Sequence, residues 1–471
     1  MSSSGSTKRA CDQCHMVKEK CRRASITASC QRCSRLGQTC QTARSTAKAG
    51  RKPRGTRKLS YTLPQSTIAI DSDPSSQYPT PYNAGLGSNP VIFSDLDQWE
   101  RHFLNLMKED TAMSSPLDKF LVGPSFHASH HISFVQNLIQ PTPELKNASV
   151  ACAAVLFGDQ FSERAETVID IGHKRAAMAV SSLRSFQLRD ERDLTTILVL
   201  SVAMITFAMH VEDGQHYLIA HYTLSLIKSQ AQGLLDYASP LMDLLMCLVC
   251  TETFECLLKC KVPTWRLDTR GRGRTVDRYL GLSYPLFCHL FDICEIGNSL
   301  RRDAKDSRPD IMKRLDKTHA EVTRWKPSSP TDLLERFTHA EVVALFAQAK
   351  ILQLAALLII HRLRFPFGRH DSVAQGLSQA ILDQFDHVIE LTGRSVPCTS
   401  LPYLTSCFEI QGEEPRKHAL TRSLKIITFS KQAQIKFTNS LTSVWKARDL
   451  GERFHWFEIS KYLLHNASTG K

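Results

Sequence analysis

Cys11-Asp12-Gln13-Cys14-His15-Met16-Val17-Lys18-Glu19-Lys20-Cys21 is followed by Cys30-Gln31-Arg32-Cys33-Ser34-Arg35-Leu36-Gly37-Gln38-Thr39-Cys40. Both stretches read C-x2-C-x6-C, and the eight residues Arg22–Ser29 join them. A C-x-x-C pair places two thiols within one turn, and a third cysteine seven residues on returns to the same point. Each half therefore supplies three sulfurs, whereas Zn²⁺ takes four in a tetrahedron at about 2.3 Å. Six thiolates satisfy two zincs only if two of the six bridge. A module of some thirty residues buries almost no core, so bound metal has to supply most of its folding free energy. The expected ligands are Cys11, Cys14, Cys21, Cys30, Cys33 and Cys40, with two zincs per chain.

Charge surrounds this module. Residues 1–60 hold fifteen Lys and Arg against Asp12 and Glu19, so the whole net charge of +13 resides there. The rest of the 471-residue chain is neutral. A basic arm carrying the entire excess is the footprint of a polyanionic partner. Two zincs with six thiolates sum to −2, which Lys18, Lys20, Arg22, Arg23, Arg32 and Arg35 can offset. Residues 1–7 are polar and carry no secretory signal, so the thiols are expected in a reducing compartment, where clustered cysteines favour metal over disulfides.

Four segments follow from the composition. Residues 8–42 form the cysteine module, 43–59 a basic connector, 60–92 a disordered linker with five prolines, and 93–471 an all-α domain. In the last, Thr331–Phe365 has apolar residues at helical spacing, capped at Ser329-Pro330-Thr331 and stopped by Pro366. Leu241–Lys261 is apolar almost all round and ends before Pro263, and Asp371–Leu391 runs amphipathically up to Gly393. The charge-free Leu194–Val211 is read as a buried core helix and not as a membrane span. Phe93–Asp110 mixes acidic and apolar residues and suits either an activation segment or a docked amphipathic helix.

The cysteine module resembles the zinc binuclear-cluster (Zn2Cys6) transcription factors of fungi, through Ala10–Cys14, Lys18–Cys21 and Cys30–Cys33 to Cys40. The resemblance implies that Cys11 and Cys30 bridge the metals. It also implies that Lys18 reads a CGG triplet in the major groove, a role that suits a lysine facing guanine O6 and N7. His15, Val17 and Glu19 depart from the family's basic pattern, and the joining loop lacks its common proline. Metal binding is unaffected by these departures; DNA affinity and triplet preference are in question. Arg51, Lys52, Arg54, Arg57 and Lys58 surround Pro53 and look loosely like an AT-hook, a minor-groove arm. A nuclear-import signal or a phosphate-binding tail explains the same residues. Residues 93–471 resemble the regulatory domain of one branch of the family, through Glu255–Leu258 with Pro263-Thr264, Val276–Gly281, Ala355–Leu358, His361–Arg364 with Pro366-Phe367-Gly368, and Trp445–Asp449. Relatives in that branch often control secondary-metabolite gene clusters.

The resulting expectation is a small metal-stabilised module plus a mainly α-helical C-terminal regulatory domain. Its partners would be double-stranded DNA and the transcription machinery or co-regulators, in the nucleus and away from any membrane. A homodimer would have to form through the helical domain, because 41–90 has no heptads. The competing expectation is a zinc-bearing co-regulator that touches DNA weakly. An enzyme is not expected. Cys247, Cys250, Cys256 and Cys260 lie on an apolar helix and read as buried free thiols. His210, His216 and His221 read as helix-cap, surface and core histidines, and His127, His130 and His131 as loop residues. Arg270–Arg274 lacks the Lys-Ser/Thr of a phosphate-binding loop.

Overall fold

The computed structural model describes residues 10–12, 14, 21, 28–37, 39–42, 95–109, 116–140, 142–158, 165–211, 215–230, 241–267, 276–302 and 308–463. They fall into two compact units, one within 1–83 and one within 84–471. Among its described residues the first includes the short helix Gln31–Arg35. The second is helical; among its described residues there is no strand, only an isolated bridge between Asp277 and Gly281.

Thirteen of the second unit's helices set its architecture: α1 Gln98–Glu109, α2 Pro143–Phe157, α3 Ala165–Ser185, α4 Glu191–His210, α5 His216–Gln230, α6 Leu241–Lys259, α7 Phe287–Arg302, α8 Arg308–Arg324, α9 His339–Arg364, α10 Asp371–Thr392, α11 Ser400–Cys407, α12 Glu413–Ile426 and α13 Lys431–Asp449. Helices adjacent in sequence pack on one another from α1 to α6, and α10 lies along α9. Helices that are apolar on nearly every face belong in the interior. Among the described residues α4 and α9 are long and apolar enough to cross a membrane, but both are mostly buried inside the helical unit. The α4 helix thus bears out the reading of Leu194–Val211 as core.

Two of the three periodic segments, Asp371–Leu391 and Leu241–Lys261, fold as their spacing predicts. In α10, Ala374, Ser378, Ile381, Phe385 and Val388 form one buried stripe. Gly393 closes the helix at φ 68°, and its N–H donates to the Ile389 carbonyl at 2.8 Å. Each large apolar residue on such a stripe contributes about 1.5–3 kcal/mol on burial. The Leu241–Lys261 segment forms α6, and its Cys250, Cys256 and Cys260 are buried with Cys247 half-buried. Burial pushes the Cys256 and Cys260 thiols up to about 12.

Three expectations are corrected. Thr331–Phe365 is not one helix: a short turn, Leu333–Arg336, precedes α9. Phe337 is extended and packs on Phe126 at 5.3 Å between ring centroids, and Thr338 with Glu341 forms a capping box that restarts the helix. His127, His130 and His131 are helical, on His127–His130 and the π-turn His131–Val135. His130 and Phe134, one turn apart, are buried in contact at 5.2 Å, and burial lowers the His130 imidazole to about 3. His216 and His221 exchange roles: His216 is half-buried, whereas His221 is exposed and pairs with buried Glu252 at 2.7 Å. His210 caps α4 as read, its Nδ1 lying 2.7 Å from the Thr206 carbonyl. Of the two readings of Phe93–Asp110, docking holds for the described part. Phe103 and Met107 of α1 are buried, and Glu100 forms a buried two-point ion pair with Arg175 at 2.5 and 2.6 Å.

Candidate metal centre

The two cysteine stretches fold into the same local hydrogen-bond pattern. The Cys14 N–H donates to Cys11 Sγ at 3.4 Å, and the Cys33 N–H to Cys30 Sγ at 3.4 Å. The Cys11 N–H donates to Cys21 Sγ at 3.4 Å, and the Cys30 N–H to Cys40 Sγ at 3.2 Å. The repeat seen in the spacing is therefore a repeat in space. The first pattern belongs to the C-x-x-C turn, where the second cysteine's amide points back at the first sulfur.

The halves meet through their sulfurs. Cys11 Sγ lies 3.8 Å from Cys30 Sγ and 3.6 Å from Cys33 Sγ, and Cys14 Sγ lies 3.5 Å from Cys30 Sγ. Two groups of four result, Cys11, Cys14, Cys21, Cys30 and Cys11, Cys30, Cys33, Cys40, each with its sulfurs within 4.8 Å of one another. Cys11 and Cys30 belong to both. A tetrahedron with metal–sulfur bonds of about 2.3 Å has edges of about 3.8 Å. The measured separations suit that figure, so the donor set fits two thiolate-bound metal ions with two shared ligands.

The thiols of the cluster differ in how readily they ionise. Burial raises Cys11, but the Cys14 amide and the neighbouring thiols outweigh it and bring the group down to about 5. The Cys33 amide chiefly lowers Cys30, to about 7. Burial and the adjacent sulfurs push Cys14 up to about 12 and raise Cys33 too. Cys11 and Cys30, the two shared members, are thus the easier to ionise, whereas Cys14 and Cys33 resist ionising. A bound divalent ion removes that resistance, since coordinated thiols are deprotonated outright. Arg32 and Arg35 stand on the helix that Cys30 caps. Lys18, Lys20, Arg22, Arg23, Arg51, Lys52, Arg54, Arg57 and Lys58 lie outside the described residues.

The stretches singled out in the helical unit are structural anchors. Arg278 is buried, donating from Nε to Asp243 at 2.8 Å and from Nη1 to Ser133 Oγ at 2.6 Å. Arg362 is fully buried against Glu409 and Asp371. Trp445 donates its indole N–H to the Cys407 carbonyl at 2.8 Å beneath the Arg416 guanidinium. A cavity of about 340 Å³ beside Tyr279 had no counterpart in the sequence reading, because its walls come from stretches far apart along the chain.

Residues 139–467 match a family described as the fungal specific transcription factor domain. Neither a curated protein nor a solved structure matches the chain significantly.

Proposed function

The chain belongs to the fungal-specific transcription factor family, and from that membership we propose that it is a sequence-specific regulator of RNA polymerase II genes that reads CGG-type triplets in double-stranded DNA. The observation that carries the proposal is the pair of cysteine quartets sharing Cys11 and Cys30. Cys11, Cys14, Cys21, Cys30, Cys33 and Cys40 would hold two Zn²⁺, whose role is to fold and brace the unit; no catalysis is assigned to them. Lys18 would contact guanine, by likeness to the zinc binuclear-cluster factors. Lys20, Arg22 and Arg23, with the arm Arg51, Lys52, Arg54, Arg57 and Lys58, would neutralise phosphates. The protein would act in the nucleus with co-regulators of transcription, and the helical domain's likeness to one branch of those factors favours a secondary-metabolite gene cluster as target.

Val17 and Glu19 flank Lys18 without adding positive charge, and they favour the second reading, a zinc-bearing co-regulator acting through protein contacts. One experiment separates the two. Binding of the full chain to DNA with and without CGG is measured for the wild type and Lys18→Ala, after metal analysis of the purified protein. The proposal expects two zincs per chain and a loss of about 1–3 kcal/mol on CGG-bearing DNA that is not matched on control DNA. Equal losses on both would reduce Lys18 to a phosphate contact and favour the co-regulator.

A further inference from the structure

Four helices of the second unit turn one stripe each toward a common space. Ala433, Phe437 and Ser440 supply the stripe from α13, and Val202, Thr206 and Met209 that from α4. The α6 helix adds Cys247, Thr251, Phe254 and Leu258, at intervals of three and four residues, and α11 closes the space with Leu401 and Leu404. The space between them is a partly open pocket of about 340 Å³, at the lower end of the range of about 300–1,000 Å³ found for small-molecule sites. The stripes that line it are mainly apolar, with Lys119, Glu255 and Lys436 also on its wall.

Two polar atoms at the cavity lack partners. Tyr279 is 3% exposed and lines the cavity, yet its phenolic oxygen has no hydrogen-bond partner among the described residues. His216 lines it too, and its Nδ1 is buried without a partner. Buried polar groups left unpaired are destabilising, so native proteins rarely keep one without a use. Tyr279 is held in place from its backbone, because the Asp277 carboxylate accepts its N–H at 2.8 Å and Gln348 donates to its carbonyl at 2.8 Å. Burial keeps the His216 imidazole below its usual range and therefore neutral at pH 7, able to accept or donate.

We infer that this cavity is a binding site for a neutral, largely aromatic small molecule carrying a hydroxyl group, which Tyr279 and His216 anchor while the apolar helix stripes hold its ring system. The Tyr279 phenol and the neutral imidazole pair with a hydroxyl in either direction. The inference concerns the helical unit alone and does not rest on the DNA-binding reading.

The test uses the full chain and two probes of one shape, 2-naphthol and naphthalene, in equilibrium dialysis. Saturable binding of 2-naphthol at one site per chain is expected, tighter than that of naphthalene. Tyr279→Phe should cut the preference for 2-naphthol about fivefold, the size of one neutral hydrogen bond, with little change in naphthalene binding. Ala433→Trp, which fills the cavity, should weaken both probes at least tenfold at an unchanged melting temperature. If Ala433→Trp disturbs folding, Ser440→Phe from the same stripe takes its place. Absence of saturable binding, or undiminished binding in a folded filled variant, overturns the site. An unchanged preference in Tyr279→Phe overturns the anchor.

Discussion

Arg362 keeps its charge where no water reaches it. Its Nε and Nη2 donate to Glu409 at 2.7 and 2.6 Å, and Nη2 also donates to Asp371 at 2.8 Å. Nη1 donates to the Pro366 and Arg369 carbonyls at 3.0 Å each, and the guanidinium lies 4.7 Å from the Phe367 ring centroid. One side chain thus ties the end of α9 to the following turn and to the end of α11. Burial lowers the guanidinium's affinity for its proton, but the Glu409 and Asp371 carboxylates outweigh it and raise the group above its ordinary value. Arg362→Met removes the hydrogen-bonded partner of Glu409 and leaves it only Arg448 at 3.7 Å, so the loss should approach that of a broken buried ion pair, about 3–5 kcal/mol. Urea unfolding should show that loss. Arg362→Lys should recover little of it, because an ammonium cannot reproduce the planar fork. Arg362→Met with Glu409→Gln should recover a large part, and a double variant as unstable as the single one would show that the pair is not the source of the loss.

At the scale of an element, the start of α9 is set by one carboxylate. Glu341 accepts from the Thr338 amide and hydroxyl at 2.9 Å each, completing the capping box. It also accepts from the Ser125 amide at 2.7 Å and the Ser125 hydroxyl at 2.8 Å, from a turn more than two hundred residues earlier. Gly123 permits this approach: a Cβ there would sit 2.3 Å from Glu341 Oε1. Burial raises the Glu341 carboxyl, but the hydrogen bonds from Ser125 and Thr338 outweigh it and hold the group below the usual carboxylate range. A depressed folded-state pKa adds stability that is fully present above the unfolded value and is lost as pH falls through the folded one. Glu341→Gln should therefore lower stability at pH 7 by about 1–3 kcal/mol, and the gap to the wild type should narrow on acidification below about pH 4. Gly123→Ala should destabilise the wild type by a similar amount and cost much less in a Glu341→Ala background. Additive losses in that cycle would mean that the two residues do not compete for the same space.

At the scale of the whole molecule, the two units are stabilised by different physics. Among the described residues of the first, the buried side chains are those of Cys11, Cys14, Cys30 and Cys33. The second has one continuous apolar core running from Phe103 to Ile459. If the cysteine quartets hold zinc and bind DNA as proposed, a chelator such as 1,10-phenanthroline should abolish DNA binding while leaving the thermal transition of the helical signal in place, as followed by circular dichroism. A helical transition that shifts with chelator would mean that metal also supports the second unit.

Some of this protein is determined locally. The six cysteines report their grouping through spacing alone, because a turn of C-x-x-C geometry orients two sulfurs whatever surrounds it. The α10 helix is legible for the same reason: its stripe and its terminal Gly393 obey the period and the left-handed cap of a single helix. Where a contact spans the chain, the sequence has no local signal. The break before α9 depends on Ser125 meeting Glu341, the helical state of His127–His131 on the packing of His130 against Phe134 and Tyr279, and the buried lives of Arg278 and Arg362 on carboxylates from other helices. The cavity is the extreme case, since each stripe alone reads as ordinary core and only the spacing between packed helices leaves the space at Tyr279. Helical periodicity specifies which face of a helix is buried; what that face meets, or fails to meet, is decided when the helices pack.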